Sequence, residues 1–490
     1  MNNNYSVDTR KRPSIDQVKL SRSLVVLVLT ILTVVVGSCA AKTGNPVMVA
    51  GFLILPFALM LMKHPAIVLV LAFTMDASGI RIPGLSFTTA GLLSKLLLIG
   101  TVFLSTAMGQ RQWALGKLEE RRPLKLFALV VIILMAVRGS GLRILGSSTW
   151  GGMTYVNIFI GIIFFLMVSG LRVSRKHIRW MAGGSLCLAA IGSLMQRQGW
   201  SEAAAESAVM TSRVRWVFYF AIAFLPFSLG CWSKKKKLFA LGLISGAVAL
   251  LLATGDRKLF IITVLVISGF GFFRNTNRGL YIAKLLIIGL FIYVFLALFA
   301  RVLPLGMQRS VAVVPGISVD YSMSHDAESS TNWRLEIWRY CLKEAPKYLL
   351  IGRGSAFDVW EASGDLSSSD IGTFSPWFAF ITRSYHSGPL SLLIDYGIPG
   401  LVFMLWFSGL LIKRLWGYAS RLGLIDTFEA RYALAFCVLL MCFIFRYFFI
   451  MGAIVEWPSF FGQYAIIIIM ASSIFDSQKE SNNLTAPVAG

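Results

Sequence analysis

His386 opens a segment whose residue types and spacing suit acid–base chemistry. A His386-Ser387 pair is followed by nine residues and then Gly397-Ile398-Pro399-Gly400. The chain has four histidines, and this one stands just before an apolar stretch. An imidazole titrates near neutral pH and is a ready proton acceptor. Taken alone, a histidine at a helix start is an ordinary surface residue. Arginines give the second half of the pattern. Arg257 lies in the short link Thr254-Gly255-Asp256-Arg257-Lys258 between two apolar runs. Arg334 stands one helical turn from Trp338, and Arg383 stands three residues before His386. Arg446 lies inside an apolar run, while Arg213 and Arg215 open another. A guanidinium is a planar fork that matches phosphate oxygens, and an ionisable group at membrane depth is a functional candidate by default. Each has a plainer reading, because cations at helix ends commonly snorkel to the membrane surface and an Arg beside a Trp commonly stacks on a solvated face.

Other motifs carry less. Gly352-x-Gly354 lacks the strand–helix context and the Lys-Ser/Thr of a phosphate loop, so it reads as a turn. His325, Asp326 and Glu328 are metal-capable, but a solvated loop is the better reading. No Cys/His spacing reads as zinc, and no metal is expected.

The elements that must position these residues are membrane helices. Hydrophobic residues make up 56% of the 490 and charged residues 14%, far from a globular average. Apolar stretches long enough to cross a bilayer recur along the chain. An all-α, polytopic transmembrane bundle follows, since lipid tolerates only helices or closed barrels. The spans are predicted near 24–41, 47–62, 65–77, 87–107, 124–138, 151–170, 178–195, 214–232, 238–253, 259–273, 280–302, 389–412, 431–451 and 459–475, about fourteen in all. The third is short and flanked by Gly and Pro, as a re-entrant segment would be.

Charge sets the expected orientation. Basic clusters fall in the N-terminal tail, at Arg111 to Arg122, at Arg172 to Arg179, at Lys234 to Lys237, at Arg274 and Arg278, and at Lys413, Arg414 and Arg421. With both termini in the cytoplasm all of them land inside, as the positive-inside rule requires. The net charge of +23 is therefore mostly a topology signal. Nucleic acid is not an expected partner, because the basic runs are short and scattered among loops.

The expected organisation is a cytoplasmic tail (1–23), a transmembrane bundle (24–302), an extracytoplasmic loop (303–388), C-terminal transmembrane helices (389–475) and a second cytoplasmic tail (476–490). The loop is the one long polar stretch, and such loops are usually functional. Its first part, Val311 to Ser330, is expected to be irregular. A helix is predicted over Thr331 to Glu344, capped by Ser330 or Thr331, with Trp333, Ile337, Cys341 and Glu344 in an i, i+4 row.

Three blocks, in order, resemble the O-antigen ligase and O-antigen polymerase family. They are Gly255-Asp256-Arg257 after a span; Arg334-Leu335-Glu336-Ile337-Trp338 followed by Pro346 and Gly352-Arg353-Gly354; and His386-Ser387, nine residues, then Gly397-x-x-Gly400. The last block is the most specific. In the first, Asp256 stands where the family often has Ser. The resemblance covers about Val214 to Arg446. It implies a multi-pass glycosyltransferase of the bacterial inner membrane acting in cell-surface polysaccharide synthesis (O-antigen, capsule or exopolysaccharide). The implied donor is a glycan on undecaprenyl diphosphate; the partners are that donor, a glycan or lipid acceptor, and membrane lipids. Arg257 and Arg334 would hold the diphosphate and stabilise charge on the leaving group. His386 would orient or deprotonate the acceptor hydroxyl. These three are the implied catalytic residues. Arg383, Arg213, Arg215, Arg446 and Trp338 are the candidate substrate-binding residues. The resemblance implies no cofactor. Two rival classes are a carrier of small anions and a structural subunit of a polysaccharide export complex. A carrier should show polar residues through the bilayer midplane. The spans offer few charges there beyond Lys95, Lys284 and Arg446, which favours the enzyme.

Overall fold

The computed structural model describes residues 65–78, 90–107, 118–139, 149–184, 257–312, 314–355 and 375–485, with a few isolated positions besides. The predicted spans 24–41, 47–62 and 214–232, together with Arg213 and Arg215, lie outside the described residues.

The described chain is built of helices. They are α1 (Pro65–Ser78), α2 (Ala90–Ala107), α3 (Arg121–Arg138), α4 (Met153–Val168), α5 (Arg257–Arg274), α6 (Arg278–Phe299), α7 (Leu305–Val311), α8 (Tyr321–Glu344), α9 (Pro376–Ile381), α10 (Gly388–Leu422), α11 (Phe428–Phe449) and α12 (Trp457–Thr485). One antiparallel two-residue ladder, β1 (Thr149–Trp150) with β2 (Phe357–Asp358), ties the long loop to the link before α4. Nine of these helices fall on predicted spans. Four helical stretches, Arg278–Val302, Gly388–Leu422, Phe428–Phe449 and Trp457–Lys479, are long and apolar enough to cross a membrane by themselves.

The bundle core is a continuous apolar cluster. Phe127, Phe165, Phe407, Tyr447, Trp457, Phe461 and Tyr464 are fully or almost fully buried in it. The ring of Phe407 touches Phe165, Trp457 and Phe461 edge-on, the geometry favoured by aromatic quadrupoles. In contrast α6 has no buried residue and presents apolar side chains such as Leu286, Ile287, Leu290 and Phe291 outward. A helix that is apolar all round suits a lipid surrounding.

Connectivity gives the bundle two distinct ends. At one end α3 starts, α5 and α10 finish and α11 starts. Glu120 pairs with Arg414 at 2.7 Å and accepts from Tyr464 at 2.8 Å. Asp426 pairs with both Arg274 and Arg431, and Glu429 with Arg179. At the other end α3 finishes, α5 begins with Arg257, α10 begins after His386, and α11 ends near Arg446. There Arg138 donates to the Gly352 carbonyl at 3.2 Å.

The loop between α6 and α10 forms its own small core. Ile337, Cys341, Ala345, Ala379, Phe380, Tyr385 and Ile394 are buried together, with Trp333, Trp338 and Leu390 packed against them. Burial pushes the Cys341 thiol up to about 12, so it behaves as a packing group rather than a nucleophile.

Two expectations for the loop are corrected. The helix predicted from Thr331 begins ten residues earlier, at Tyr321, so the second half of Val311 to Ser330 is helical rather than irregular. Asp320 stands at its N-cap, and neither Ser330 nor Thr331 caps it; Thr331 Oγ1 instead donates back to the Ala327 carbonyl at 2.9 Å. The sequence Tyr321 to Ser330 has weak intrinsic helix preference. Tertiary contacts hold it: Gln308 is buried, donates to the Arg301 and Leu303 carbonyls, and accepts from the Asp320 backbone at 2.9 Å, while Arg309 pairs with Asp326 at 2.5 Å. That ion pair uses one of the three residues considered for a metal. His325 lies beside Tyr321, and Ser324 contacts Glu328 at 3.5 Å.

Candidate active site

The site is built around a break in α10. Gly397 has φ 69° and ψ −175° inside an otherwise helical run, a region open only to glycine in practice. Pro399 follows and has no N–H, so the carbonyl of Asp395, four residues back, loses its helical donor. Ile398 is diverted as well, donating to the Leu349 carbonyl at 2.7 Å. Two helix carbonyls are thus left open, and the distant turn fills both. Arg353 N–H donates to the Ile394 carbonyl at 2.7 Å, and Gly354 N–H to the Asp395 carbonyl at 2.9 Å. The exchange satisfies backbone groups that would otherwise be orphaned in a dry setting. It also explains Gly352, where a Cβ would collide with the Asp395 carbonyl. The Gly352-Arg353-Gly354 turn is therefore the plug of a broken helix. Gly397 admits no neighbouring helix: the atoms against it belong to the loop, among them Leu349 O and Gly352 N. Gly400 lies in regular helix between Tyr396 and the ring of Phe127 in α3.

The Arg353 side chain extends the plug, donating to the Phe380 carbonyl at 2.7 Å and stacking on the Phe380 ring at 4.5 Å. This fixes α9 against α10. The chain then makes a tight turn into α10. Arg383 and His386 both have left-handed backbone, φ 61° and 52°. They are the two non-glycine residues with positive φ among those described. Such conformations cost roughly 1–3 kcal/mol each and persist where surroundings impose them.

The surroundings are specific. Trp338 Nε1 donates to the Tyr385 carbonyl at 2.9 Å. The Tyr385 hydroxyl donates to Asp395 Oδ1 at 2.8 Å. Both Tyr385 and Asp395 are 0% exposed. Burial and the Asp395 carboxylate hold the Tyr385 phenol well above its ordinary range, so it stays a donor. The His386 ring lies 5.2 Å from that of Trp333. Trp333 and Trp338 flank Arg334 on α8, so this helix is laid across the histidine.

Arg334 is half-buried, and burial lowers its pKa from the usual guanidinium range. Among the described residues its one hydrogen bond is a 3.5 Å contact to Ser330, and its Nε has no partner. A guanidinium stays charged in proteins. A desolvated cation with unused donors is costly until an anion meets it.

The remaining candidates fall in different places. Arg383 lies within electrostatic range of Asp395 and Tyr385, turned toward the buried carboxylate. Arg257 begins α5 at the same end of the bundle as His386. Arg446 pairs with Glu456 and lies over the Phe443 ring at 5.6 Å, so its charge is already matched. Its neighbour Tyr447 reaches the site and donates to the Gly388 carbonyl at 3.1 Å. The structure thus joins the α8 block to the His386 turn. It adds Asp395, Tyr385 and Arg353, which sequence reading passed over. The signal for Asp395 was present, since it is an ionisable residue inside an apolar helix.

The fold and this arrangement define a polytopic all-α membrane protein with an interfacial site of histidine, arginine and buried carboxylate at one end of the bundle. The family model described as O-antigen ligase matches residues 241–405, which spans α5, the loop, the His386 turn and the helix break. Over that stretch the chain is similar to the O-antigen ligase family, and the match supports a membrane glycan-processing role in polysaccharide biosynthesis and a ligase- or glycosyltransferase-type enzyme. No curated protein and no solved structure matches the chain.

Proposed function

We propose that this protein transfers or polymerises glycan from an undecaprenyl-diphosphate-linked donor onto a glycan or lipid acceptor at the outer face of the bacterial inner membrane. The observation that carries the proposal is the placing of α8, with its under-used Arg334 guanidinium, across the His386 turn. In this reading Arg334 and Arg257 take the diphosphate. Cations fixed in advance stabilise the charge that grows on the leaving diphosphate as the anomeric C–O bond breaks. His386 accepts the proton of the acceptor hydroxyl as that oxygen attacks the anomeric carbon. Trp338 shapes the donor site beside Arg334. Arg383 and Arg446 serve as further substrate contacts, with Arg446 acting through its pair with Glu456; Arg213 and Arg215, outside the described residues, are proposed for the same role.

Orientation supports the same reading. The described basic clusters gather at the end of the bundle opposite His386, which the positive-inside rule assigns to the cytoplasm. The 303–388 loop is then extracytoplasmic, on the side where a flipped lipid-linked donor would present its diphosphate. We propose further that the reaction needs no metal ion, because two arginines can supply the positive charge at the diphosphate.

The deciding experiment is transfer in vitro from a synthetic polyprenyl-diphosphate-linked glycan, with the purified protein and a chelator present. Transfer by the wild type and its loss in His386→Ala are expected. Full activity of His386→Ala would remove the base assignment, and loss of wild-type activity on chelation would overturn the metal-free mechanism.

A further inference from the structure

Asp395 and Tyr385 form a buried polar pair that the proposed transfer step does not use. Tyr385 is held at both ends. Its carbonyl accepts from Trp338, on the helix that carries Arg334. Its hydroxyl, at the far tip of the ring, donates to Asp395. The ring between lies edge-on to Phe380 at 6.0 Å. On either side of Tyr385, within two residues, stand the two left-handed positions Arg383 and His386. Asp395 is tied down just as firmly. Its carbonyl takes the Gly354 N–H at the helix break, and its carboxylate takes Tyr385. Its second oxygen, Oδ2, is buried without a hydrogen-bond partner.

A buried carboxylate with an unused oxygen is expensive in packing terms. Packing alone therefore does not account for a carboxylate at this place. Its geometric effect is specific: Asp395 links the plug turn to the strained turn, and Tyr385 links that turn on to α8. Tyr385, fixed at both ends, stands directly before His386, whose backbone is left-handed.

We propose that Asp395 and Tyr385 are positioning residues for His386, holding its imidazole in the conformation that meets the acceptor hydroxyl. This inference rests on the transferase reading above. Misplacing a catalytic group by about 1 Å can cost on the order of 100-fold in rate.

The test is steady-state kinetics with the synthetic polyprenyl-diphosphate-linked glycan on purified full-length protein. Tyr385→Phe removes only the hydroxyl. It should lower kcat by roughly 10- to 100-fold while the donor KM stays within about twofold, since uniform binding is untouched. In the His386→Ala background the same change should cost nothing further, because the two act as one unit. Asp395→Asn keeps an acceptor oxygen and should turn over faster than Asp395→Ala; this pair decides the matter even if Tyr385→Phe fails to fold. Wild-type kcat in Tyr385→Phe, a rise in donor KM as large as the fall in kcat, full additivity with His386→Ala, or equal rates for Asp395→Asn and Asp395→Ala would each overturn the positioning role. A wild type that transfers no glycan at all would instead sink the transferase reading.

Discussion

The two ends of the bundle differ in how far acids answer bases and in how regular their backbone is. At the end where α10 finishes, acids answer bases: Glu120 meets Arg414, Asp426 meets Arg274 and Arg431, Glu429 meets Arg179, and Asp476 meets Arg172. At the end where α10 begins, Arg446 also meets Glu456, but Arg334 keeps an unpartnered Nε and the buried carboxylate of Asp395 is engaged by a tyrosine. The backbone differs too. The paired end is made of regular helix termini, with Thr427 capping α11 through the Ala430 N–H. The site end holds a broken helix, a plug turn and two strained residues. Paired charges fix helices in place. Stored strain is a feature of a surface kept ready for a ligand.

The comparison can be broken most directly at His386. His386→Ala should reduce transfer by about 10²- to 10⁴-fold with normal expression and unchanged thermal stability, since the residue is at the mouth of α10 and not in its core. A matching fall in melting temperature would make the residue structural. Arg334→Ala should come next, costing about 2–5 kcal/mol of donor interaction. Arg334→Lys should recover little, because an ammonium cannot form the fork. Donor titration by calorimetry would measure both, and an unchanged affinity would place the diphosphate elsewhere.

At the opposite end the signs should reverse. Glu120→Ala leaves Arg414 and Tyr464 without their partner, so about 1–3 kcal/mol of stability should go, read by denaturation in detergent. Transfer per folded molecule should hold. If transfer fell while stability held, the division between the ends would be wrong. Arg172→Ala is the mildest change. Its pair with Asp476 is 3.5 Å long and largely exposed, and pairs of that kind contribute less than about 1 kcal/mol. Neither stability nor transfer should move measurably.

The helices themselves were legible. Runs such as Phe428 to Phe449 and Gly388 to Leu411 are mostly apolar, and lipid leaves such a run little choice but to form a helix. The spacing from His386 to Gly397 and Gly400 was equally plain, as was the presence of Arg334 and Trp338 one turn apart. The start of α8 was not legible. Tyr321 to Ser330 lacks an apolar stripe, and its helix depends on Gln308 and Arg309 from a neighbouring element.

Sequence also marked a disturbance in α10, through Gly397 and Pro399, because a proline removes its own N–H wherever it stands. What it left open was which groups would answer the freed carbonyls. Arg353 and Gly354 do so from more than forty positions away in the chain. That choice is a matter of tertiary packing: a backbone donor must arrive within about 3 Å of each open carbonyl, and no local pattern encodes the approach of a distant turn. The same holds for Tyr385 and Asp395, whose residue types were in view but whose pairing exists only because α8, α9 and the first turns of α10 close over one small core.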